Sequence, residues 1–439
     1  MRATEMVENS TIKSTKIQFW HPWLIWGMAS FFYFYENCLQ VSPGVMVPEL
    51  MRTFAVDAAA LGNLAAFYFY SYAGMQIPVG VLIDRFGPKR LLMLATCVCA
   101  LGCTLFGTAT TIFSAEIGRT LIGFGSAFAV VACLKLATTW FELQRFALLT
   151  GLMLTVGLSG SIVGETPLAL LVASVGWRHS MLLLGAVGAF LLLFIWQFMR
   201  DNPSDITAPH QASSATAPAN PERKLFSGLG LVLKNKQSWL IAVYGGLMFA
   251  PTSIFGALWG VPFLMQAHHL TRPEAAGTIS MLFLGWIVGS PLLGWVSDRI
   301  GKRKPTMMMG SIGGVITMIA ILYIPQLSTL SLSILLFCFG FLCSGFLPSF
   351  SIMREISPHY ANATALGFMN MLNMVGGAMG QPFVGFILDL FWMGEMQNGA
   401  RSYSTGSYHI ALAALPIMMG ISILILPFIR ETYCRSIAR

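Results

Sequence analysis

The sequence predicts an all-α membrane protein with twelve transmembrane helices arranged as two bundles of six. Three observations support this fold class: an apolar composition, twelve long apolar stretches, and an internal repeat that relates the two halves. Of the 439 residues, 56% are hydrophobic and 10% are charged. A water-soluble domain has about 25% charged residues, so we expect lipid to surround most of this protein's surface.

Twelve stretches are long and apolar enough to cross the hydrocarbon core of a bilayer, which takes about 18 residues or more. In lipid a backbone must satisfy its own hydrogen bonds, so each stretch is predicted to be a helix. The even number of crossings puts both termini on one side. The stretches lie near residues 22–46, 60–83, 91–109, 113–139, 146–173, 177–199, 238–265, 275–297, 306–324, 329–352, 361–390 and 408–429.

The basic residues predict which side carries the termini. Most of the 26 Lys and Arg residues lie in the two tails and in the loops between spans 2–3, 4–5, 6–7, 8–9 and 10–11. Arg52, Arg178, Arg272 and Arg401 lie on the other side. Basic loops stay in the cytoplasm, so we expect both termini on the cytoplasmic side of a bacterial inner membrane. The net charge of +8 then reflects topology, and we expect no nucleic-acid partner.

A polar linker divides the chain into two halves. Residues 201–222 are rich in Pro, Ser, Ala and Thr, a composition typical of flexible linkers. We therefore predict a cytoplasmic tail, a six-helix bundle, a cytoplasmic linker, a second six-helix bundle and a second cytoplasmic tail. These parts span residues 1–21, 22–200, 201–237, 238–430 and 431–439, respectively.

The two halves repeat one loop. "GVLIDRFGPKR" follows span 2, and "GWVSDRIGKRK" follows span 8. Two six-span repeats that share one orientation predict two bundles related by an axis along the membrane normal. The residues that recur at one constant offset are Gly80, Asp84, Arg85 and Gly87 in the first copy and Gly294, Asp298, Arg299 and Gly301 in the second.

These loops, together with "RTLIGFG" at Arg119 to Gly125, resemble the signature motifs of the major facilitator superfamily. The resemblance covers essentially the whole chain. It implies a secondary transporter whose two bundles rock around a central site, giving alternating access. It also implies that Asp84 and Asp298 lie between the bundles, in conformational-switch loops that help to hold one face closed.

Other stretches resemble particular branches of that superfamily. "ENCLQVSPGVMVPELM" and "RFALLTGL" are similar to phagosomal transporters of intracellular Gram-negative bacteria, which implies uptake of amino acids or nucleosides. The first span is more loosely similar to the anion:cation symporters, which have an Asp-Arg pair where this chain has Glu36-Asn37. The missing Arg argues against an anionic substrate.

Two carboxylates within spans are candidates for proton coupling. Glu36 shares one helical stripe of span 1 with Tyr33 and Gln40, and we expect this stripe to face a wet cavity. The alternative is a carboxylate held permanently by a neighbouring donor. Glu165 in span 5 is the second candidate, because its counterpart in the other half is the uncharged Gln381.

Arg119 in span 4 is a candidate for the substrate cavity. It could hold a substrate carboxylate, pair with Glu36 or Glu165 across the cavity, or form a local pair with Glu116. Lys135, near the cytoplasmic end of the same span, is expected to extend to the membrane surface.

Three amides form one polar stripe on span 11. They are Asn370, Asn373 and Gln381. Amides are costly against lipid, so we expect this face to line the cavity or to contact another helix. We predict that these side chains contact the substrate, with helix–helix bonding as the alternative.

The sequence therefore predicts a monomeric transporter that imports a small polar nutrient, an amino acid first and a nucleoside second, by proton symport. Two alternatives are a proton-driven exporter of a siderophore or drug, and a membrane sensor that binds solute without moving it. The seven His residues are scattered without metal-ligand spacing, and we find no nucleophile or phosphate-loop motif. We expect no enzyme activity, metal or cofactor.

Overall fold

The computed structural model describes residues 20–142, 145–203, 229–358, 361–397 and 399–436, and helices dominate these ranges. In the first half, a short 3₁₀ turn at Ser42–Met46 follows α1. The helices of this half are α1 (Trp20–Val41), α2 (Val47–Phe54), α3 (Ala58–Phe86), α4 (Pro88–Thr108), α5 (Ile112–Ser126), α6 (Ala129–Trp140) and α7 (Phe146–Phe198).

The second half repeats this pattern, with a π-helical segment at Thr252–Trp259 joining its first two helices. Its helices are α8 (Lys236–Pro251), α9 (Gly260–His268), α10 (Arg272–Ile300), α11 (Lys304–Tyr323), α12 (Thr329–Cys343), α13 (Pro348–Glu355), α14 (Asn362–Leu390), α15 (Thr405–Leu412) and α16 (Ala414–Ile425). Between α14 and α15, β1 (Met396–Gln397) pairs antiparallel with β2 (Ala400–Arg401).

The described residues contain ten helical stretches that are long and apolar enough to cross a membrane. One of them, Leu148–Phe198, has 51 residues and would be about 77 Å long if it were straight. It is instead two crossings joined at Gly176, whose φ of 81° interrupts the helix. Both parts lie beside α1 at one level, since Gly157 contacts Tyr33 and Gly188 contacts Tyr35.

With α1, which is 22 residues long, the described residues supply the twelve predicted crossings. The predicted all-α fold is therefore confirmed. The predicted linker at 201–237 lies largely outside the described residues, as do most of the N-terminal tail and the last three residues. The division of the chain at those boundaries stays a prediction.

The two bundles meet along two pairs of helices. α3 packs against α14, and α7 packs against α10. We call the end that carries the loops after α3 and α10, with Lys89 and Lys302, the basic end. The opposite end, where α3 begins at Ala58 and α14 ends at Leu390, is the far end.

Glycine stops both helices that lead into the repeated loops. Gly87 and Gly301 have φ values of 81° and 68° at the C-termini of α3 and α10. A side chain is strained at such angles, so glycine is the residue suited to this helix end. This explains one of the repeated positions by backbone geometry alone.

Candidate functional site

A cavity of about 860 Å³ lies between the two bundles. Its lining on α3 runs from Tyr68 to Asp84, and its lining on α14 runs from Met374 to Ala363. Both series run from the middle of the protein towards the basic end. The cavity therefore opens at the basic end, which the charge distribution predicts to be cytoplasmic.

Glu36 lies in the wall of this cavity and is only 3% exposed. Its Oε2 accepts a hydrogen bond of 2.6 Å from the hydroxyl of Tyr68, and its Oε1 accepts one of 3.2 Å from Nδ2 of Asn37. Tyr33 and Gln40, predicted on the same stripe, also line the cavity. The carboxyl group thus contacts both a phenol and an amide on the pathway.

Arg119 is placed outside the described cavity lining, and its guanidinium supports a break in α1. Nη1 donates to the carbonyl of Leu39 at 2.9 Å, and Nη2 lies 3.4 Å from the carbonyls of Gln40 and Ala65. Pro43 has no N–H, so it leaves the Leu39 carbonyl without its helical donor. The guanidinium and the Ser42 hydroxyl both donate to that carbonyl at 2.9 Å, and the guanidinium joins α1, α3 and α5.

The predicted ion pairs of Arg119 do not form in the part of the chain that the structure describes. Its guanidinium carbon lies 5.1 Å from the ring centroid of Tyr68, whose hydroxyl donates to Glu36. Arg119 therefore reaches Glu36 only through that ring. The nearby Glu116 accepts instead from Asn63 at 3.4 Å.

Glu165 is fully buried, and both carboxylate oxygens lack a hydrogen-bond partner among the described residues. It is likewise absent from the described cavity lining. Its neighbour Thr166 bonds Ser280 of α10 at 3.0 Å, which places Glu165 beside the contact between the bundles. Its role in proton coupling stays a prediction.

The three amides of α14 occupy two different environments. Asn370 and Asn373 line the cavity, and Nδ2 of Asn370 donates to Oε1 of Gln76 on α3 at 2.9 Å. Gln381 lies away from the described lining and donates to the Ser253 carbonyl at 2.8 Å. The backbone carbonyl of Gln381 accepts a hydrogen bond from Nε1 of Trp259 at 3.0 Å. Gln381 thus holds the π-helical segment, as the helix-joining alternative predicts.

The repeated loops place their carboxylates at the basic end. Asp84 lines the cavity mouth, and Lys135, whose side chain is partly exposed, donates to it at 2.8 Å. Asp298 pairs with Arg303 within its own bundle. Neither pair crosses between the bundles in this conformation, in which the basic end is open.

The other repeated positions have simpler surroundings. The guanidinium carbons of Arg85 and Arg299 lie 5.3 Å and 5.4 Å from the ring centroids of Phe86 and Trp295. Gly80 lines the cavity, and a Cβ built on Gly80 or Gly294 would meet nothing within 4 Å. These two glycines are therefore not required for close packing in this conformation.

The far end is closed by a polar contact that the sequence analysis missed. The carboxylate of Asp389, at the end of α14, accepts from the backbone N–H groups of Ala58 and Ala59 at 3.2 Å and 2.7 Å. These groups begin α3, in the other bundle. Tyr403 and Arg401 donate to the same carboxylate at 2.5 Å and 3.2 Å. We call Asp389, Arg401 and Tyr403 the far-end clamp.

Two further features hold the bundles together at the far end. Glu49 of α2 forms a salt bridge with Arg272 of α10. A Cβ on Gly62 would lie 2.5 Å from the carbonyl oxygen of Gln381, so α3 and α14 touch backbone to backbone.

A signal for the clamp existed in the sequence: Asp389 is a lone carboxylate in the last turn of an apolar span.

Comparison with known proteins fits this architecture. The sequence profile of the Major Facilitator Superfamily matches residues 25–381 and, in a second alignment, residues 244–432. The chain belongs to the Major Facilitator Superfamily. This membership confirms the resemblance of the repeated loops and identifies the chain as a transporter rather than an enzyme. Within the described residues, no group of three or more His, Cys, Asp or Glu side chains could hold a metal ion.

Similar members of the superfamily are named for different solutes and roles. The chain is 24% identical over 425 residues to the probable sulfoacetate transporter SauU of Cupriavidus necator, covering 92% of this chain and 93% of that protein. It is 22% identical over 391 residues to the membrane sensor protein UhpC of Escherichia coli, covering 84% and 86%. It is also 22% identical over 400 residues to a gallate transporter of Pseudomonas putida, covering 84% and 86%.

Solved structures share the fold. A bacterial homologue of the human lysosomal transporter Spinster, in an inward-facing and occupied conformation, aligns with a TM-score of 0.77 at 15% identity. The alignment covers 94% of this chain and 97% of that one. The nucleoside transporter NupG aligns with a TM-score of 0.71 at 16% identity, covering 92% and 99%.

Proposed function

We propose that this chain imports a small polar nutrient across the bacterial inner membrane by proton symport, with an amino acid as the first candidate and a nucleoside as the second. The observation that carries the proposal is the charge of the cavity. Among the described residues that line it, Glu36 and Asp84 are carboxylates, and none is Lys, Arg or His.

This charge pattern disfavours permanent anions as substrates. The similar proteins are named for sulfoacetate, hexose phosphate and gallate, and a carboxylate or phosphate is usually bound by Arg or Lys. Arg119, which lies within a span, is committed to backbone carbonyls. A zwitterionic or neutral solute suits the carboxyl, phenol and amide groups that are present.

Glu36 is the proposed proton carrier. It is buried, it reaches the cavity, and its bond to Tyr68 tolerates either protonation state because a phenol can donate or accept. Each positive charge that moves inward gains about 2.3 kcal/mol per 100 mV of membrane potential. A proton carried with a neutral solute can therefore drive accumulation.

The substrate is first identified by a thermal-shift screen of amino acids and nucleosides on purified protein, because a ligand that binds the folded state raises its apparent stability. Uptake of each positive solute is then measured in proteoliposomes with an imposed pH gradient. Glu36→Gln keeps the shape of the side chain but cannot exchange a proton. We expect it to abolish uphill uptake while exchange between equal solute pools at fixed pH continues.

Glu116→Gln is the matched control, since Glu116 is also a carboxylate within a span but lies outside the described cavity lining. It should leave uphill uptake intact. If the Glu36→Gln variant still concentrates solute against a gradient, Glu36 is not the coupling site and Glu165 becomes the candidate. If exchange is lost as well, Glu36 is a substrate ligand or a structural partner.

A second candidate function is solute sensing. The membrane sensor protein UhpC is among the similar proteins, and its similarity extends over 84% of this chain. A sensor binds solute without moving it, so counterflow of a bound solute in proteoliposomes separates the two functions. Counterflow supports transport, and binding without counterflow supports sensing. Net efflux driven by a proton gradient would instead indicate the exporter alternative.

A further inference from the structure

The wall of the cavity contains a cluster of amides that joins the two bundles. Asn370 of α14 donates to Gln76 of α3 at 2.9 Å, across 294 positions of sequence. A Cβ on Gly367, one turn before Asn370, would lie 3.2 Å from the carbonyl oxygen of Gln76, so the two helices nearly touch here. Any solute that contacts this cluster contacts both bundles at once.

Two polar atoms of this cluster have no partner among the described residues. They are Nε2 of Gln76 and Oδ1 of Asn373. Both residues are buried, with exposures of 8% and 2%, respectively. A buried polar group without a hydrogen bond costs about 1–3 kcal/mol. One of these atoms is a donor and the other is an acceptor, so the cluster offers both halves of an amide's hydrogen-bonding pattern.

Gly245 of α8 lets the side-chain oxygen of Asn373 lie close to the α8 backbone. A Cβ at this position of α8 would lie 2.8 Å from Oδ1 of Asn373, which is too close for ordinary contact. The absence of a side chain keeps the amide of Asn373 uncrowded on that side. Tyr72 lies one helical turn before Gln76 on α3 and also lines the cavity, so an aromatic ring borders the cluster.

We propose that Gln76, Asn370 and Asn373 form a subsite that binds an amide or imide edge of the substrate, in which a carbonyl oxygen accepts from Gln76 and an adjacent N–H donates to Asn373. This inference rests on the proposed transport of small polar solutes through the cavity. A carboxamide side chain or a pyrimidine base supplies this edge. An apolar chain supplies neither group, and a carboxylate supplies no donor.

The position of the subsite also sets the distance that a solute must span to contact both Glu36 and the amides. Gln76 follows Tyr68, the partner of Glu36, by eight residues on α3, which is about 12 Å along the helix axis. Glu36 and the subsite therefore lie two turns apart in one cavity. A solute that reaches from one to the other is extended and carries its amide edge at the end nearer the basic side.

The test uses matched solutes that differ in this edge. Apparent dissociation constants are measured by titrating the thermal stability of the full-length protein at fixed pH. One arm compares L-glutamine with L-norleucine and L-glutamate. The other arm compares uridine with N3-methyluridine, in which the N–H donor is blocked. The arm that shows discrimination identifies the source of the edge as an amino acid or a nucleoside.

We expect the solute with the intact edge to bind at least about tenfold more tightly than its matched partner, because each lost bond leaves a buried group unpaired. Gln76→Leu should reduce that ratio to near one. Gly245→Ala, which places a methyl group against Asn373 without removing any polar group, should reduce it as well. The midpoint temperature of each variant without ligand is measured as well, so that a loss of folding is distinguished from a loss of binding.

Two outcomes overturn the inference. One is equal binding, or no binding, of all the matched solutes in both arms by the unsubstituted protein. The other is a ratio that survives both substitutions. The measurement uses no proton gradient, so the failure of proton coupling in the Glu36→Gln experiment leaves the subsite standing, and loss of the subsite leaves the coupling result standing.

Discussion

The far-end clamp should control which end of the protein is open. Asp389 accepts two backbone N–H groups at the beginning of α3, and these bonds exist only while the far end is closed. Its bonds to Arg401 and Tyr403 lie within its own bundle and can persist when the bundles separate. Asp389→Asn keeps the shape of the side chain but removes its charge and one acceptor.

The magnitude follows from the bonds that are lost. A hydrogen bond to a charged group contributes about 1.5–3 kcal/mol, against about 0.5–1.5 kcal/mol for a neutral one. A negative charge at a helix N-terminus contributes about 0.3–1 kcal/mol more. The substitution should therefore weaken the closed far end by about 2 kcal/mol, which changes the ratio of closed to open states about 30-fold.

The assay is a distance distribution between spin labels at the far end of each bundle. Thr110, after α4, and Thr329, at the start of α12, are exposed and suited to labelling. The partly exposed Cys97, Cys338 and Cys434 are first replaced by Ser. We expect Asp389→Asn to move population from the short distance to the long one.

The matched control is Glu395→Gln, because Glu395 is an exposed carboxylate in the same far-end loop. It should leave the distances unchanged. If Asp389→Asn gives the same distribution as the unsubstituted protein, the clamp does not hold the far end closed and the energy estimate is wrong. If the control moves the population equally, the effect comes from net loop charge rather than from the bonds to α3.

Two other predictions concern the basic end and the topology. Asp84→Ala removes the partner of Lys135 at the cavity mouth. It should slow transport and shift the balance between the two open states while sparing solute binding. Unchanged transport rates together with unchanged label distances would mean that Asp84 serves only as a membrane anchor. A reporter fused within residues 201–222 should be active in the cytoplasm, and one within 394–407 in the periplasm. Reversed signals would contradict the orientation predicted from the basic loops.

The fold was predictable from sequence because each crossing must be apolar and helical whatever surrounds it. Twelve apolar stretches therefore determine twelve crossings, even where α7 continues through Gly176 with almost no loop. The repeated Gly87 and Gly301 were predictable for a similar reason. Both end a helix with a positive φ, a backbone conformation that glycine adopts more easily than other residues. Local backbone chemistry decides all of these features.

The site was less predictable because it depends on where long side chains reach. Helical stripes predicted one polar face on span 1, with Glu36, and another on span 11, with the three amides. The structure places both faces at the cavity except for Gln381, which bonds the π-helical segment instead. The stripe did not show that Arg119 would donate to the Leu39 carbonyl, which Pro43 leaves without its helical donor. Such a contact joins residues 80 apart, and helical periodicity carries no information about it.

Gln76 illustrates a signal that was present but not used. Tyr68, Tyr72 and Gln76 recur every four residues along span 2, and all three line the cavity. Reading that series would have placed the face of α3 towards the pathway. It would not have shown the bond to Asn370, because that bond requires the second bundle.

The two ends of the protein are held by different kinds of contact, and this difference indicates how the bundles move. At the far end, Asp389 and Glu49 bond across the bundles, and their partners lie on α3 and α10. At the basic end, Asp84 and Asp298 bond to cations in their own bundles. Closing the basic end therefore requires no inter-bundle bond to be broken there.

The cost of moving lies almost entirely at the far end, where the partly buried carboxylates of Asp389 and Glu49 must leave helix N–H groups and Arg272. Water at the opened end can replace those partners, so the net cost is a few kcal/mol rather than the full strength of the bonds. A solute that binds the conformation with an open far end more tightly than the conformation described here can offset a cost of that size. Binding in the cavity and opening at the far end are then linked through α3 and α14, the two helices that carry both the amide cluster and the clamp.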